Sequence, residues 1–251
     1  MKRSLFYVTA IVSLILFAAC SKDDSNDLVI TSSKEIGLNS QETSQIKCSD
    51  PKATYASEDE FVATVSETGL ITAKRIGETY IDINGKKSVK VTIRPVYTQF
   101  VEPQFLFGAT KEDVYSKVGT NYYSSDDTGI SYIPSSGKVK YYSYLLKDGK
   151  VSSVGMIVST DDLESITNFL LERYVPISLE EEDYTAVLAN ALTEDKITML
   201  VAEKIYSVSY IFVVYLPYSS SASRSSIERE TLEQQVQHLM DKINLSPFSI
   251  N

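Results

Sequence analysis

Few side chains in this 251-residue chain are suited to bond-making chemistry. The single histidine, His238, lies between the apolar Val236 and Leu239. A Ser-His-Asp triad would have to use it, and no Gly-x-Ser-x-Gly elbow accompanies it. A zinc site needs several His or Cys ligands, and one His with two Cys cannot supply them. Carboxylates are plentiful at Asp126-Asp127, Asp161-Asp162, Glu180-Glu181-Glu182-Asp183 and Glu194-Asp195. A glycosidase needs two that converge, which sequence does not reveal. Each run reads better as a solvated loop or a helix start, because carboxylates favour the positive end of a helix. None matches the Asp-x-Asp-x-Asp-Gly calcium loop, and no glycine-rich phosphate cradle is present. No catalytic residue, metal ligand or cofactor is therefore assigned.

Tyrosine is the residue in excess: 17 are present with no Trp, and all but Tyr7, Tyr55 and Tyr80 follow Pro95. An exposed tyrosine row makes a binding platform, because the ring stacks on sugars or peptides while the hydroxyl takes a hydrogen bond. Buried tyrosines instead pack between sheet and helix with the hydroxyl at the rim, and that reading leads for any one residue. For the set, Tyr122, Tyr123, Tyr142 and Tyr144 are the expected ligand-binding members. Tyr142 and Tyr144 share one face of a strand, and Tyr141 takes the other.

The N-terminus carries an address. Lys2 and Arg3 precede an apolar stretch over residues 5–17, then Ala18-Ala19-Cys20. A positive start, a short apolar run and small residues make a cleavable signal peptide. Thirteen apolar residues are too few for a membrane span, which needs about 20. Leu16-Phe17-Ala18-Ala19-Cys20 resembles the lipobox of bacterial lipoproteins. That resemblance implies cleavage before Cys20 and acylation of its thiol and new amine, palmitate among the chains. Two or more chains give a stable anchor, at about 0.8 kcal/mol per buried CH₂. Ser21-Lys22-Asp23-Asp24 resembles the tag that sends lipoproteins of Bacteroidota to the outer face of the outer membrane; the plain alternative is a polar tether. With Cys20 lipidated, Cys48 has no disulfide partner and reads as a small buried hydrophobe.

The whole chain has a net charge of −9, and loss of Lys2 and Arg3 takes it to −11. An acidic surface excludes nucleic acid as a partner, since that needs clustered positive charge. The lipid, not a basic patch, is expected to hold the protein to its membrane.

The elements that would position these residues fall into two blocks. Residues 28–94 read as short strands broken by turns. Thr79-Tyr80-Ile81-Asp82-Ile83 and Ser88-Val89-Lys90-Val91-Thr92-Ile93 alternate apolar and polar residues, the pattern of strands with one buried face. Asn84-Gly85 between them marks a two-residue hairpin, because both turn positions need positive φ. The segment 55–73 (YASEDEFVATVSETGLITA), followed by Gly77 and Tyr80-Ile81, resembles the group 2 bacterial immunoglobulin-like domain. The family pattern is an aromatic, a Ser-rich turn, Val-Ala-x-Val, Gly with two hydrophobics and Thr-Ala, and a later Gly. Tyr55 stands where the family usually has Trp. The resemblance implies an all-β sandwich and says little about function, because such modules serve as spacers, stalks and appendages.

Pro95 closes that block, since it cannot donate to a ladder. Beyond it, Thr110 caps a short helix over 111–118 that Gly119 ends. A short strand at 130–133 follows, then strands at 138–146 and 151–159 joined through Asp148-Gly149. Thr160 caps a helix from Asp161 to about Tyr174, stopped by Pro176. Residues 184–191 fit helix or strand. Residues 197–202 and 207–216 read as a second hairpin, and Ser226 caps a last helix to about Ile243 with Leu232, Val236, Leu239 and Ile243 in its stripe. The order suggests a tandem duplication, with units near 110–158 and 161–216. It predicts an α+β domain: an antiparallel sheet with helices on one face. Such repeats resemble the beta-lactamase-inhibitor-like fold of small envelope proteins.

The expected organisation is a signal peptide (1–19), a lipidated tether (20–27), an Ig-like domain (28–95) and a C-terminal α+β domain (96–251). The reading that follows is a non-catalytic outer-membrane lipoprotein at the cell surface, its spacer presenting a C-terminal domain that binds a glycan or a protein. A periplasm-facing assembly factor and a carboxylate-based hydrolase are the alternatives.

Overall fold

The computed structural model describes residues 28–180 and 185–218. The signal peptide, Cys20, the Ser21-Lys22-Asp23-Asp24 tag, Glu181, Glu182, Asp183, Tyr184, the serine run 219–223 and the last helix with His238 lie outside the described residues.

Seven short strands build the N-terminal module: β1 (Glu35–Asn39), β2 (Thr43–Gln45), β3 (Tyr55–Ser57), β4 (Ala63–Val65), β5 (Leu70–Ala73), β6 (Gly77–Ile83) and β7 (Lys86–Arg94). They form two sheets, ordered β1-β7-β6-β3 and β2-β5-β4, with β1 parallel to β7. The expected sandwich is present. Alternating residues of β6 and β7 (Ile81, Ile83, Val89, Val91 and Ile93) meet Ile71 and Ala73 of β5 in one core. Asn84 (φ 53°) and Gly85 (φ 73°) both take the positive φ that a tight hairpin requires. Gly69 is demanded twice over: its φ is 79°, and a Cβ there would sit 2.9 Å from the Tyr55 ring. The Tyr55 hydroxyl lies 3.2 Å from Cys48 Sγ. Cys48 is half-buried rather than buried, because its sulfur sits at this polar rim beside the Asp50 carbonyl.

The second module holds α1 (Lys111–Val118), β8 (Ser124–Ser125), β9 (Gly129–Tyr132), β10 (Val139–Lys147) and β11 (Lys150–Ser159). It continues with α2 (Leu163–Leu171), β12 (Val175–Glu180), β13 (Thr185–Ala189), β14 (Met199–Ile205) and β15 (Tyr210–Pro217). The eight strands form one antiparallel sheet, ordered β12-β13-β14-β15-β11-β10-β9-β8. Each half is a helix followed by a four-stranded meander. The two meanders meet through their last strands, β11 and β15, which pair antiparallel from Val154↔Tyr215 to Ser159↔Tyr210. The two halves thus share one order of elements and join as antiparallel neighbours at the sheet centre.

Among the described residues helices are few and strands many, so the domain is β-rich and the α+β description fits it only weakly. The described ones, α1 and α2, have eight and nine residues. Both lie on one face: Val114 packs with Ile130, Tyr144 and Val154, and Ile166, Phe169 and Leu170 pack with Met156, Val201 and Val213. The predicted helix to Tyr174 is shorter, because Val175–Glu180 is a strand. Pro176 is tolerated there since β12 is the sheet edge. Ser159, not Thr160, supplies the cap before α2, through a 3-10 turn at Thr160–Asp162. Thr160 Oγ1 instead donates to the Val208 carbonyl at 2.7 Å.

The segment between the modules is fixed in place. The Glu172 carboxylate, after α2, accepts the backbone N–H groups of Val96 and Tyr97. The Glu172 carbonyl accepts Ile76 N–H of the sandwich at 2.8 Å.

Candidate functional site

The four tyrosines expected to bind ligand divide two and two. Tyr144 is 1% exposed and packs edge-on against Tyr132 at 6.0 Å. Burial pushes its phenol up to about 12. Tyr142 is half-buried, and its hydroxyl donates to the Val101 carbonyl at 2.7 Å. Neither forms an open platform. Alternation places both on the helix-bearing face of β10, where α1 and the segment 96–108 cover them.

Tyr122 and Tyr123 do reach solvent, at 43% and 65% exposure. They lie between α1 and β8. The C-terminal end of α1 that launches them is set by Gly119 at φ 110°, whose N–H donates to the Tyr115 carbonyl at 3.0 Å. Tyr132 hydroxyl donates to the Gly119 carbonyl at 2.8 Å, and Tyr123 N–H donates to the Ser131 carbonyl at 2.7 Å. The loop is thus anchored at both ends while its rings stay accessible. Tyr122 stacks on Tyr115 of α1 (5.4 Å, 25°), whose hydroxyl lies 2.7 Å from Ser125 Oγ. Tyr123 leans on Tyr141 of β10 (5.5 Å, 55°). Tyr115 sits on the helix face and Tyr141 on the other, so the two exposed rings straddle the β8 end of the sheet. Tyr115 and Tyr141 were not among the expected site residues.

Beside this pair runs a polar cleft of about 100 Å³, lined by Ser124, Asp126, Thr128, Ser131, Ser143 and neighbouring backbone. Asp126 Oδ1 accepts Thr128 Oγ1 and N–H, both at 2.7 Å, and Gly129 N–H at 3.1 Å. These donors hold its carboxyl below the usual carboxylate range. The cleft is too small for a sugar ring, since ligand pockets run to about 300–1,000 Å³. It offers hydroxyls and a fixed anion at the rim of an aromatic surface.

Several other carboxylates have structural partners. Asp162 pairs with Lys138 at 3.1 Å, and Glu194 accepts the Tyr218 hydroxyl at 2.9 Å. Buried Glu203 of β14 accepts Thr167 Oγ1 at 2.8 Å, and burial raises its carboxyl to about 7. Buried Glu172 takes the two linker amides and Arg173 Nη1 at 2.8 Å. No group of three or more His, Cys, Asp or Glu suited to a metal occurs among the described residues. Among the same residues, no helix is long and apolar enough to cross a membrane.

The bacterial Ig-like domain (group 2) family matches residues 29–94, the span of the N-terminal sandwich. The chain matches no curated protein. An Ig-like module points to a structural or binding role rather than a catalytic one.

Proposed function

We propose that this protein is a non-catalytic cell-envelope lipoprotein, anchored through Cys20 at the outer membrane and facing outward, whose C-terminal domain binds glycan. Cys20 opens the mature chain, Ser21-Lys22-Asp23-Asp24 routes it outward, and the sandwich is the spacer. The observation that carries the binding role is the exposed pair Tyr122 and Tyr123, each backed by a second tyrosine ring and flanked by Ser124 and Asp126. Sugars present apolar C–H faces and hydroxyl edges. Aromatic rings serve the first, and fixed carboxylates and serine hydroxyls serve the second. The junction at Glu172 holds the spacer to the binding domain without a slack linker.

The test is a glycan array probed with residues 21–251, wild type against Tyr122→Ala/Tyr123→Ala. Saturable binding to a glycan class that the double variant loses supports the reading. Wild-type binding that the double variant retains removes the site. In cells, acylated protein accessible to protease supports the anchor and orientation, and Cys20→Ser should release it from membranes.

The edge strand β12 favours a second reading, a periplasm-facing assembly factor that pairs with another envelope protein. It exposes Ile177 (38%) and Leu179 (69%) along a strand edge that no other described strand pairs with. Such edges accept a partner strand. Protection from protease on intact cells, with loss of a co-purifying partner in Leu179→Lys, would favour it.

A further inference from the structure

The cleft beside Tyr123 carries an unbalanced charge. Thr128 Oγ1, Thr128 N–H and Gly129 N–H all donate to Asp126 Oδ1, and Oδ2 takes no bond from the described residues. Lys111 directs its Nζ to the Asp126 backbone carbonyl at 2.9 Å, not to the carboxylate. No described Lys or Arg forms an ion pair with Asp126. The turn bonds keep the carboxyl ionised. A positioned anion with one oxygen to spare therefore forms part of the wall of a cleft of about 100 Å³.

The remaining wall is small and hydroxylic. Ser124 opposes Ser131 and Ser131 opposes Ser143 across adjacent strands. The Ser131 and Ser143 hydroxyls lie 3.2 Å apart and are buried at the floor, while Ser124 is exposed. Tyr141 precedes Ser143 by two residues on β10, so it shares that face at a distance of about 7 Å along the strand. Tyr123 leans on Tyr141 and reaches solvent. An aromatic ledge thus adjoins an anionic cleft on one face of the sheet.

We propose that the cleft receives the protonated amine of an amino sugar whose ring lies on Tyr123. This rests on the glycan reading above and names the ligand class. The cleft admits a substituent rather than a ring, and its free groups are acceptors that suit an ammonium with three donors. A ring-borne amine has no aliphatic stem to bury, which fits polar walls better than a lysine side chain does. The cation also gains from the neighbouring tyrosine faces. A lone carboxylate among hydroxyls is a poor seat for Ca²⁺, which takes about six to eight oxygens. The chain's net charge of −9 favours the approach of a cationic ligand and disfavours uronic or sulfated sugars.

Calorimetric titration of the chain 21–251 with a glucosamine hexamer, an N-acetylglucosamine hexamer and trilysine tests this. The glucosamine hexamer should bind at least about tenfold tighter than its acetylated counterpart, the size of one charge-assisted hydrogen bond. Asp126→Asn keeps an Oδ1 for Thr128 and Gly129, so the turn should persist while that margin disappears. Asp127→Asn removes the same charge one residue away and should leave the margin intact. Tyr123→Ala should weaken binding of the glucosamine hexamer. Equal loss in the two Asn variants would mean general attraction to an acidic chain and would overturn the proposal. Trilysine binding as tight as the glucosamine hexamer would overturn it in favour of a basic peptide. An acetylated hexamer that binds as well, lost in Tyr122→Ala/Tyr123→Ala, would refute the amine while the glycan reading stands. Binding of neither hexamer would also refute the amine, and the glycan array separately judges the broader reading.

Discussion

The Glu172 carboxylate accepts the backbone N–H of Val96 at 3.0 Å, tying the end of α2 to the first residues after the sandwich. The same group accepts Tyr97 N–H at 3.2 Å and Arg173 Nη1 at 2.8 Å while 2% exposed. A buried carboxylate with three donors contributes through charge-assisted hydrogen bonds, and its removal leaves those donors unpaired. Glu172→Ala should cost about 2–4 kcal/mol, a Tm drop of roughly 5–10 °C. Calorimetry should also show one transition splitting into two as the modules uncouple. An unchanged, single transition would contradict the role assigned to this contact.

Gly69 offers a sharper test of the sandwich. A side chain there meets a left-handed φ and the face of Tyr55 at 2.9 Å. Gly69→Ala should destabilise the module by about 1–3 kcal/mol in urea unfolding. Tyr55→Ala in the same background should recover part of that loss, because one of the two penalties disappears. Additive losses would mean the ring contact is not the cause.

Much of this fold is legible in local sequence. Asn84-Gly85 and Asp148-Gly149 name their hairpins because only residues tolerant of positive φ fit there. The doubled order of elements also survives in the topology. Strand β12 is hidden because Pro176 after an apolar helix pattern reads as a stop, and only its edge position explains the strand. Period-two alternation places Tyr142 and Tyr144 together but cannot say which face of β10 is covered. That is decided by α1 and by Val101, 41 residues upstream of Tyr142. A lone Glu172 at a helix end carries no signal at all, since its partners are backbone amides about 75 residues away.

Glu203 sets a pH dependence. Burial holds its carboxyl at about 7, above the ordinary 4.5, with Thr167 opposing. Between those values the folded state binds a proton that the unfolded state has released. Stability from this group is therefore full below pH 4.5, falls as pH rises toward 7 and is flat above, a loss on the order of 3 kcal/mol. Glu203→Gln keeps an oxygen for Thr167 and abolishes the titration. The variant should match wild type near pH 5 and exceed its unfolding free energy at pH 8. Parallel curves for the two proteins across that range would show that the group does not titrate in this window.

The tyrosines separate binding from stability. Tyr144 is 1% exposed within the α1-side core, so Tyr144→Ala should cost about 3–5 kcal/mol by opening a cavity. Tyr142→Phe removes only the hydroxyl that donates to Val101, a loss of about 0.5–1.5 kcal/mol. Tyr122 and Tyr123 are 43% and 65% exposed, and each gives up one ring contact on truncation. Each alanine variant should cost under about 1.5 kcal/mol, the size of an aromatic pair. Ligand affinity should move the other way around: lost in Tyr122→Ala/Tyr123→Ala, retained in Tyr142→Phe. Thermal melts paired with glycan titrations of the same variants would read both axes. A Tyr142→Phe variant that folds normally yet loses the ligand would relocate the surface to the strap over β10.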